Sequence, residues 1–151
     1  MQELKEKIFQ AAIRQLKEKI SLLQQERKAV SEGILEDTKS SAGDKFETGR
    51  ENMTQDLKTI EGTIEKLQED LDEIYRVQSI KSNSEAVREG SLIQLGTDFF
   101  LISASIGQLE VDGKKYFLLS RNSPLGQVLI GKKKGENVLF RGKPQAILDV
   151  Q

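Results

Sequence analysis

Thr38-Lys39-Ser40-Ser41-Ala42-Gly43-Asp44-Lys45-Phe46-Glu47 interrupts a helical pattern that otherwise runs through the first 81 residues. Ser, Thr and Gly crowd its first half, so a helix breaks there. Asp44 then reads as the N-cap of a second helix and Glu47 as its N3 residue, an Asp-x-x-Glu start that resembles a capping box. A break between two long helices is a hairpin tip, placed near 38–47. Both arms can be read outward from it.

Towards the N-terminus, apolar side chains recur at Ile34, Val30, Leu23, Ile20, Leu16, Ile13 and Phe9, with Arg27 filling the one gap. The spacing alternates three and four and no proline interrupts, which is a heptad seam rather than a strand pattern. Towards the C-terminus, Phe46, Arg50, Met53, Leu57, Ile60, Ile64, Leu67, Leu71 and Ile74 repeat it. The seams are complementary. Phe9 with Leu71, Ile13 with Leu67 and so on to Ile34 with Phe46 close with one constant sum of residue numbers, 80. That register predicts an antiparallel coiled coil over 1–81, with Lys7 facing Glu73 and Lys19 facing Glu61. Arms of about 35 residues reach about 50 Å. No further helix of comparable length follows, so the hairpin is expected to project into solvent or into a partner. Arg27 and Arg50 in the seam read as snorkelling side chains, with packed stems and solvated heads, or as groups that orient the tip carboxylates.

The carboxylates themselves have two readings. As caps, Asp44 and Glu47 satisfy free backbone N–H groups and suit the helix dipole. As ligands, residues three apart share a helix face, and two carboxylates can share a hard cation such as Mg²⁺, which takes oxygen donors. Two protein ligands do not hold Mg²⁺ tightly, so the remaining ligands would come from a partner. Glu51 adds to the local field and Lys45 subtracts from it.

Residues 82–151 are composed differently. Eight of the twelve glycines and both prolines fall there. Lys81-Ser82-Asn83-Ser84 reads as a linker. Strand-like runs follow at 91–95, 99–103, 116–119, 138–140 and 146–150, punctuated by Gly96-Thr97, Asp112-Gly113 and Gly142-Lys143-Pro144. Ser123 as N-cap, Pro124 at N1, the apolar Leu125 and Val128-Leu129-Ile130, and Gly131 as the stop mark one short helix. Lys132, Lys133 and Lys134 form either a solvated loop or a docking patch for an acidic surface. The expected class is α+β: a long antiparallel helical hairpin over 1–81, then a small β-rich domain over 85–151.

Composition removes several chemistries. The chain has no Cys, no His and no Trp, which excludes disulfides, catalytic thiols and histidine triads. Residues 82–151 hold no phosphate-binding glycine loop, no nucleophile motif and no paired acid and base in a pocket. A net charge of −1 argues against a general nucleic-acid binder. With no membrane-length apolar run and no signal-like start, the expected setting is the cytoplasm.

Ser123-Pro124-Leu125-Gly126-Gln127-Val128-Leu129-Ile130-Gly131-Lys132-Lys133-Lys134-Gly135-Glu136-Asn137-Val138 resembles the C-terminal module of the bacterial Gre transcript cleavage factors. Gly43-Asp44-Lys45-Phe46-Glu47 resembles that family's Gly-Asp-x-x-Glu tip. The resemblance implies an FKBP-like C-terminal domain that grips the rim of the secondary channel of RNA polymerase, with Ser123, Pro124, Leu125 and Lys132–Lys134 as docking candidates. It implies a hairpin that enters the channel and brings Asp44 and Glu47 to the nascent RNA 3′ end. There they would assist a Mg²⁺ shared with the polymerase during cleavage of backtracked RNA. It further implies a bacterial transcription elongation factor with the family's DNA-binding character. The chain would be a monomer with no tightly bound cofactor, no membrane association and no enzymatic activity of its own. Phe46-Glu47-Thr48-Gly49-Arg50-Glu51 departs from the family's usual tip, and the family's N-terminal Thr-x-x-Gly-x-x-x-Leu start is absent. A channel-binding regulator without cleavage activity is therefore the alternative, followed by a coiled-coil or FKBP-like interaction protein.

Overall fold

The computed structural model describes the backbone of residues 2–39, 45–80 and 85–151 and the side chains of 3–33, 51–80 and 85–151. Residues 40–44 of the expected tip and the expected linker 81–84 lie outside these. Helix α1 spans Gln2–Lys39 and α2 spans Lys45–Gln78. Every seam residue whose side chain is described is buried or half-buried, from Phe9 to Val30 on α1 and from Met53 to Ile74 on α2. Charged residues occupy the remaining faces, as a two-helix seam requires. Arg27 is half-buried, as a snorkelling side chain would be.

One unit comprises Met1–Arg14 with Asp70–Gln151, and the other is Gln15–Glu69. The second unit contains the C-terminal part of α1 and the N-terminal part of α2. In it a Cβ at Gly33 would lie 3.6 Å from Met53 Sδ and Cε. In the first unit Gln78 donates to Glu6 Oε1 at 2.9 Å. The residue numbers of these contacts sum to 86 and 84, against the expected 80. The residues that end α1 and begin α2, Lys39 and Lys45, also sum to 84. These sums exceed the expected one, as a register shifted by one seam step, with Ile20 against Ile64 rather than Ile60, would require. The expected Lys7–Glu73 pair is accordingly replaced. Lys7 pairs with Asp112 at 3.3 Å, and Glu73 with Arg76.

The remainder of the first unit is a six-stranded mixed sheet with one short helix, which establishes the α+β class. The strands are β1 Leu92–Leu95, β2 Asp98–Ile102, β3 Gly107–Val111, β4 Lys114–Leu119, β5 Asn137–Phe140 and β6 Lys143–Val150, with α3 Pro124–Leu129 between β4 and β5. Their order is β3-β4-β2-β1-β6-β5, with only β2 and β4 parallel. β3 has no counterpart in the sequence reading. Of its five residues only Leu109 is fully buried, so the alternation is too short to recognise. It forms because Asp112 and Gly113, at φ 51° and 81°, make a two-residue turn whose twist suits a hairpin.

The sheet has two apolar faces. Ile93, Leu95, Phe100, Ile102, Val138 and Ile147 line one, where Leu129 of α3 and Val87 complete a core. Pairing puts Leu92, Leu101, Leu118, Tyr116 and Leu109 on the other, and all are buried. In the same unit the helix residues Ile8, Ala12, Ile74 and Val77 are also at most 1% exposed, and Val77 Cγ1 stands 3.7 Å from a Cβ built at Gly90. The first turns of α1 and the last turns of α2 therefore supply cover for that second face.

Candidate functional site

The carboxylate pair begins from α2, whose first residue is Lys45, where the Asp44 N-cap reading puts the helix start. Asp44 lies outside the described residues. Glu47 is on α2, and its side chain lies outside them. Glu51, one turn further, is exposed. Among the described residues no group of three carboxylate or other metal-ligating side chains converges.

The docking candidates sit around α3. The Ser123 hydroxyl accepts from Gly126 N at 3.1 Å and donates to the Ser120 carbonyl at 2.7 Å. It is thus the N-cap expected from sequence, and both its hydrogen-bonding directions are occupied. Pro124 is exposed, while Leu125 is half-buried against the core. Gly126 is buried because the Ser120–Ser123 turn passes over it: a Cβ there would stand 2.1 Å from the Ser120 carbonyl oxygen. Lys133 bridges Ala86, and the Lys132 carbonyl accepts from Val87 N at 2.8 Å. The Lys132–Lys134 run is therefore held against the segment before β1. Lys133 and Lys134 are exposed and Lys132 is half-buried.

A charge network missed by sequence reasoning joins three elements. Arg76, in the last turn of α2, bonds Glu73 and Glu89, and Glu89 also pairs with Arg121 at 3.6 Å. The bonds to Glu73 and Glu89 push the Arg76 guanidinium above its ordinary range. Glu89 is the most enclosed of the four and Arg121 begins the turn that carries Ser123. Lys5 Nζ donates to the carbonyls of Gly90 and Gln151 at 3.1 and 3.3 Å. Burial, then the nearby Arg88 charge, lower its pKa from 10.5. Helix phase accounts for the Glu73–Arg76 pair, three residues apart, but for none of the other partners, which join residues 13 to 146 positions apart.

A groove of about 810 Å³ is lined by Glu3, Glu6, Lys7, Arg14, Glu110 and Asp112 among others. It contains the exposed Lys7–Asp112 bridge and offers no nucleophile with a base beside it. No helix among the described residues is long and apolar enough to cross a membrane.

No protein-family model matches the chain, and no curated protein matches it. Among solved structures the chain is similar to the crystal structure of Thermus aquaticus Gfh1, at 17% identity over 93% of this chain and 94% of that one, with a TM-score of 0.31.

Proposed function

We propose that the protein is an accessory factor of RNA polymerase that inserts its helical hairpin into the secondary channel and stimulates hydrolysis of backtracked RNA at the polymerase's own active site. The observation that carries this is the Gly43-Asp44-x-x-Glu47 pattern at the start of α2, between two helices of 38 and 34 residues, in a chain whose remainder is a small mixed-sheet domain. Asp44 and Glu47 offer hard oxygen donors of the kind Mg²⁺ takes. Two ligands suit an ion whose other ligands belong to the partner. In that role the carboxylates position the ion and orient a water by accepting its hydrogen bonds. The shared ion would supply charge stabilisation of the attacking and leaving oxygens in phosphodiester hydrolysis. Pro124, Lys133 and Lys134, exposed on the sheet domain, are candidates for contact with the channel rim.

A second reading, channel binding without cleavage, is favoured by the altered Phe46–Glu51 tip, which places Arg50 one turn from Glu47. RNA 3′ cleavage in backtracked elongation complexes of the cognate polymerase separates the two. Rapid cleavage that Asp44→Ala/Glu47→Ala abolishes, with polymerase binding retained, supports the first reading. Binding with no cleavage supports the second. A chain that does not bind the polymerase refutes both.

A further inference from the structure

We propose that the open edge of β3 takes up an extended, basic protein segment as an added strand, seated in the groove between that edge and the first turns of α1. The inference does not depend on the function proposed above, since the partner is defined by its chemistry.

The β3–β4 ladder fixes which backbone groups are free. The two-residue turn Asp112-Gly113 makes Val111 and Lys114 the closing hydrogen-bonded pair, and hydrogen-bonded and non-hydrogen-bonded pairs then alternate. Leu109 with Tyr116 and Gly107 with Leu118 are therefore hydrogen-bonded pairs. Gln108 and Glu110 occupy the alternate positions, so their N–H and C=O groups point away from β4. β3 is the last strand of the sheet on that side. Among the described residues no backbone bond from outside the ladder reaches Gln108 or Glu110, and both are exposed. Proline, lysine and bulges commonly close such an edge. All three are absent from β3, whose single charge is Glu110.

The groove beside this edge is the second observation. Its volume is about 810 Å³, and it is lined by Glu110, Val111 and Asp112 at the end of β3 and by Glu3, Glu6 and Ala11 on α1. Both sides belong to the unit of Met1–Arg14 with Asp70–Gln151. Exposed edge strands bind peptides by strand addition, in which main-chain hydrogen bonds give affinity and neighbouring side-chain sites give specificity. Val111 and Ala11, both half-buried, offer apolar contact within the groove.

Charge identifies the occupant. The carboxylates of Glu3, Glu6, Glu110 and Asp112 line the groove against Lys7 and Arg14. Lys7 is matched by Asp112 at 3.3 Å. Glu6 accepts from the neutral amides of Gln10 and Gln78, which leave its charge in place. Glu3, Glu6 and Glu110 then stand against Arg14, a surplus of two negative charges among the lining residues. Lysine or arginine side chains on an added strand complement that surplus. A second copy pairing through the same edge would bring glutamate towards glutamate, which is unfavourable across strands.

The test measures fluorescence anisotropy of a labelled peptide of about eight residues, built from lysine, threonine and valine, against the full chain at low and raised salt. Two further peptides are N-methylated, one at each alternate set of amides, and a third has glutamate in place of lysine. An added strand turns only one of its two edges to β3, so only one N-methylated form should lose binding. Glu110→Pro removes the outward N–H. That N–H lies outside the β3–β4 ladder, so proline is tolerated there and thermal unfolding should be unchanged. Glu3→Gln/Glu110→Gln removes charge and keeps the backbone. Saturable binding tighter than about 1 mM supports the proposal when three further results accompany it. Affinity falls about 10-fold or more in one N-methylated form and in Glu110→Pro, falls several-fold in Glu3→Gln/Glu110→Gln, and falls as salt rises. Loss in both N-methylated forms alike, or in neither, overturns strand addition, and this comparison decides by itself if Glu110→Pro fails to fold. Unchanged binding by folded Glu110→Pro overturns it as well. No binding at about 1 mM, or equal binding of the glutamate peptide, overturns the basic partner. Self-association of the wild type that Glu110→Pro abolishes, without peptide binding, assigns the edge to a second copy and overturns the proposal.

Discussion

Gly126→Ala sets helix propensity against close packing. Gly126 lies inside α3, where alanine should stabilise by about 1 kcal/mol on propensity alone. Its Cβ, however, would stand 2.1 Å from the Ser120 carbonyl oxygen, 2.9 Å from Ser123 Oγ and 3.0 Å from Arg121 Cα. The first distance falls short of ordinary contact, about 3.5 Å, by roughly 1.4 Å. The obstacle is backbone, and it is held in place. Ser120 O accepts from both the backbone N and the hydroxyl of Ser123, at 3.1 and 2.7 Å. Moving it loosens the cap of α3, so the cost belongs near the top of the overpacking range, about 3 kcal/mol. Net destabilisation is then about 2 kcal/mol after the propensity gain. In a unit of about 100 residues that lowers Tm by roughly 10 °C. Gly62→Ala is the control. It is an exposed site in α2 with nothing within 4 Å of the added Cβ, and it should stabilise by about 0.5–1 kcal/mol. Urea unfolding followed by far-UV circular dichroism and by the signal of buried Tyr116 reads both units. A Gly126→Ala protein as stable as wild type, with Gly62→Ala stabilised as expected, would refute the packing argument.

Three further predictions can be checked with equally simple variants. The chain has no cysteine, so Ile20→Cys/Ile64→Cys should form a disulfide readily and Ile20→Cys/Ile60→Cys poorly; the reverse order on thiol-exchange titration would restore the register that sums to 80. Ser123→Ala removes the cap of α3 and should destabilise by about 1 kcal/mol in denaturant titration; an unchanged midpoint would mean that the cap contributes nothing. Lys5 has a folded pKa below 10.5, so the unfolded chain holds its proton more tightly, and wild type should gain stability relative to Lys5→Met as pH rises through the lowered value towards 10.5. A difference between the two proteins that stays flat or shrinks over that range would contradict the lowered value.

The helices were legible because their signal is local. Phe9, Ile13, Leu16 and Ile20 repeat with the helix period, and each is buried. The Ser123-Pro124 start of α3 was legible for the same reason, since cap and helix are neighbours in the chain. Register was not, because a seam repeating every three and four residues accepts several offsets equally well. The approach of Met53 to Gly33 and the positions where α1 ends and α2 begins favour a larger offset than the sequence pairing. β3 escaped because a five-residue edge strand with one fully buried side chain has no pattern to read; it exists through its turn and its pairing with β4.

Asp44 and Glu47 are a sequence inference throughout, resting on spacing and on a resemblance. Exposed Leu139 is the converse case. In the sequence Leu139 is as apolar as Val138 beside it, and nothing local says which is inside. Pairing with β6 buries Val138 and turns Leu139 outward. Sequence alone determined where the chain is helical, where it breaks and which chemistries it lacks, because these depend on residue type and near neighbours. Only the tertiary structure decided which apolar residues remain exposed, which charges meet and how the helices are offset, because each depends on residues brought together from distant parts of the chain.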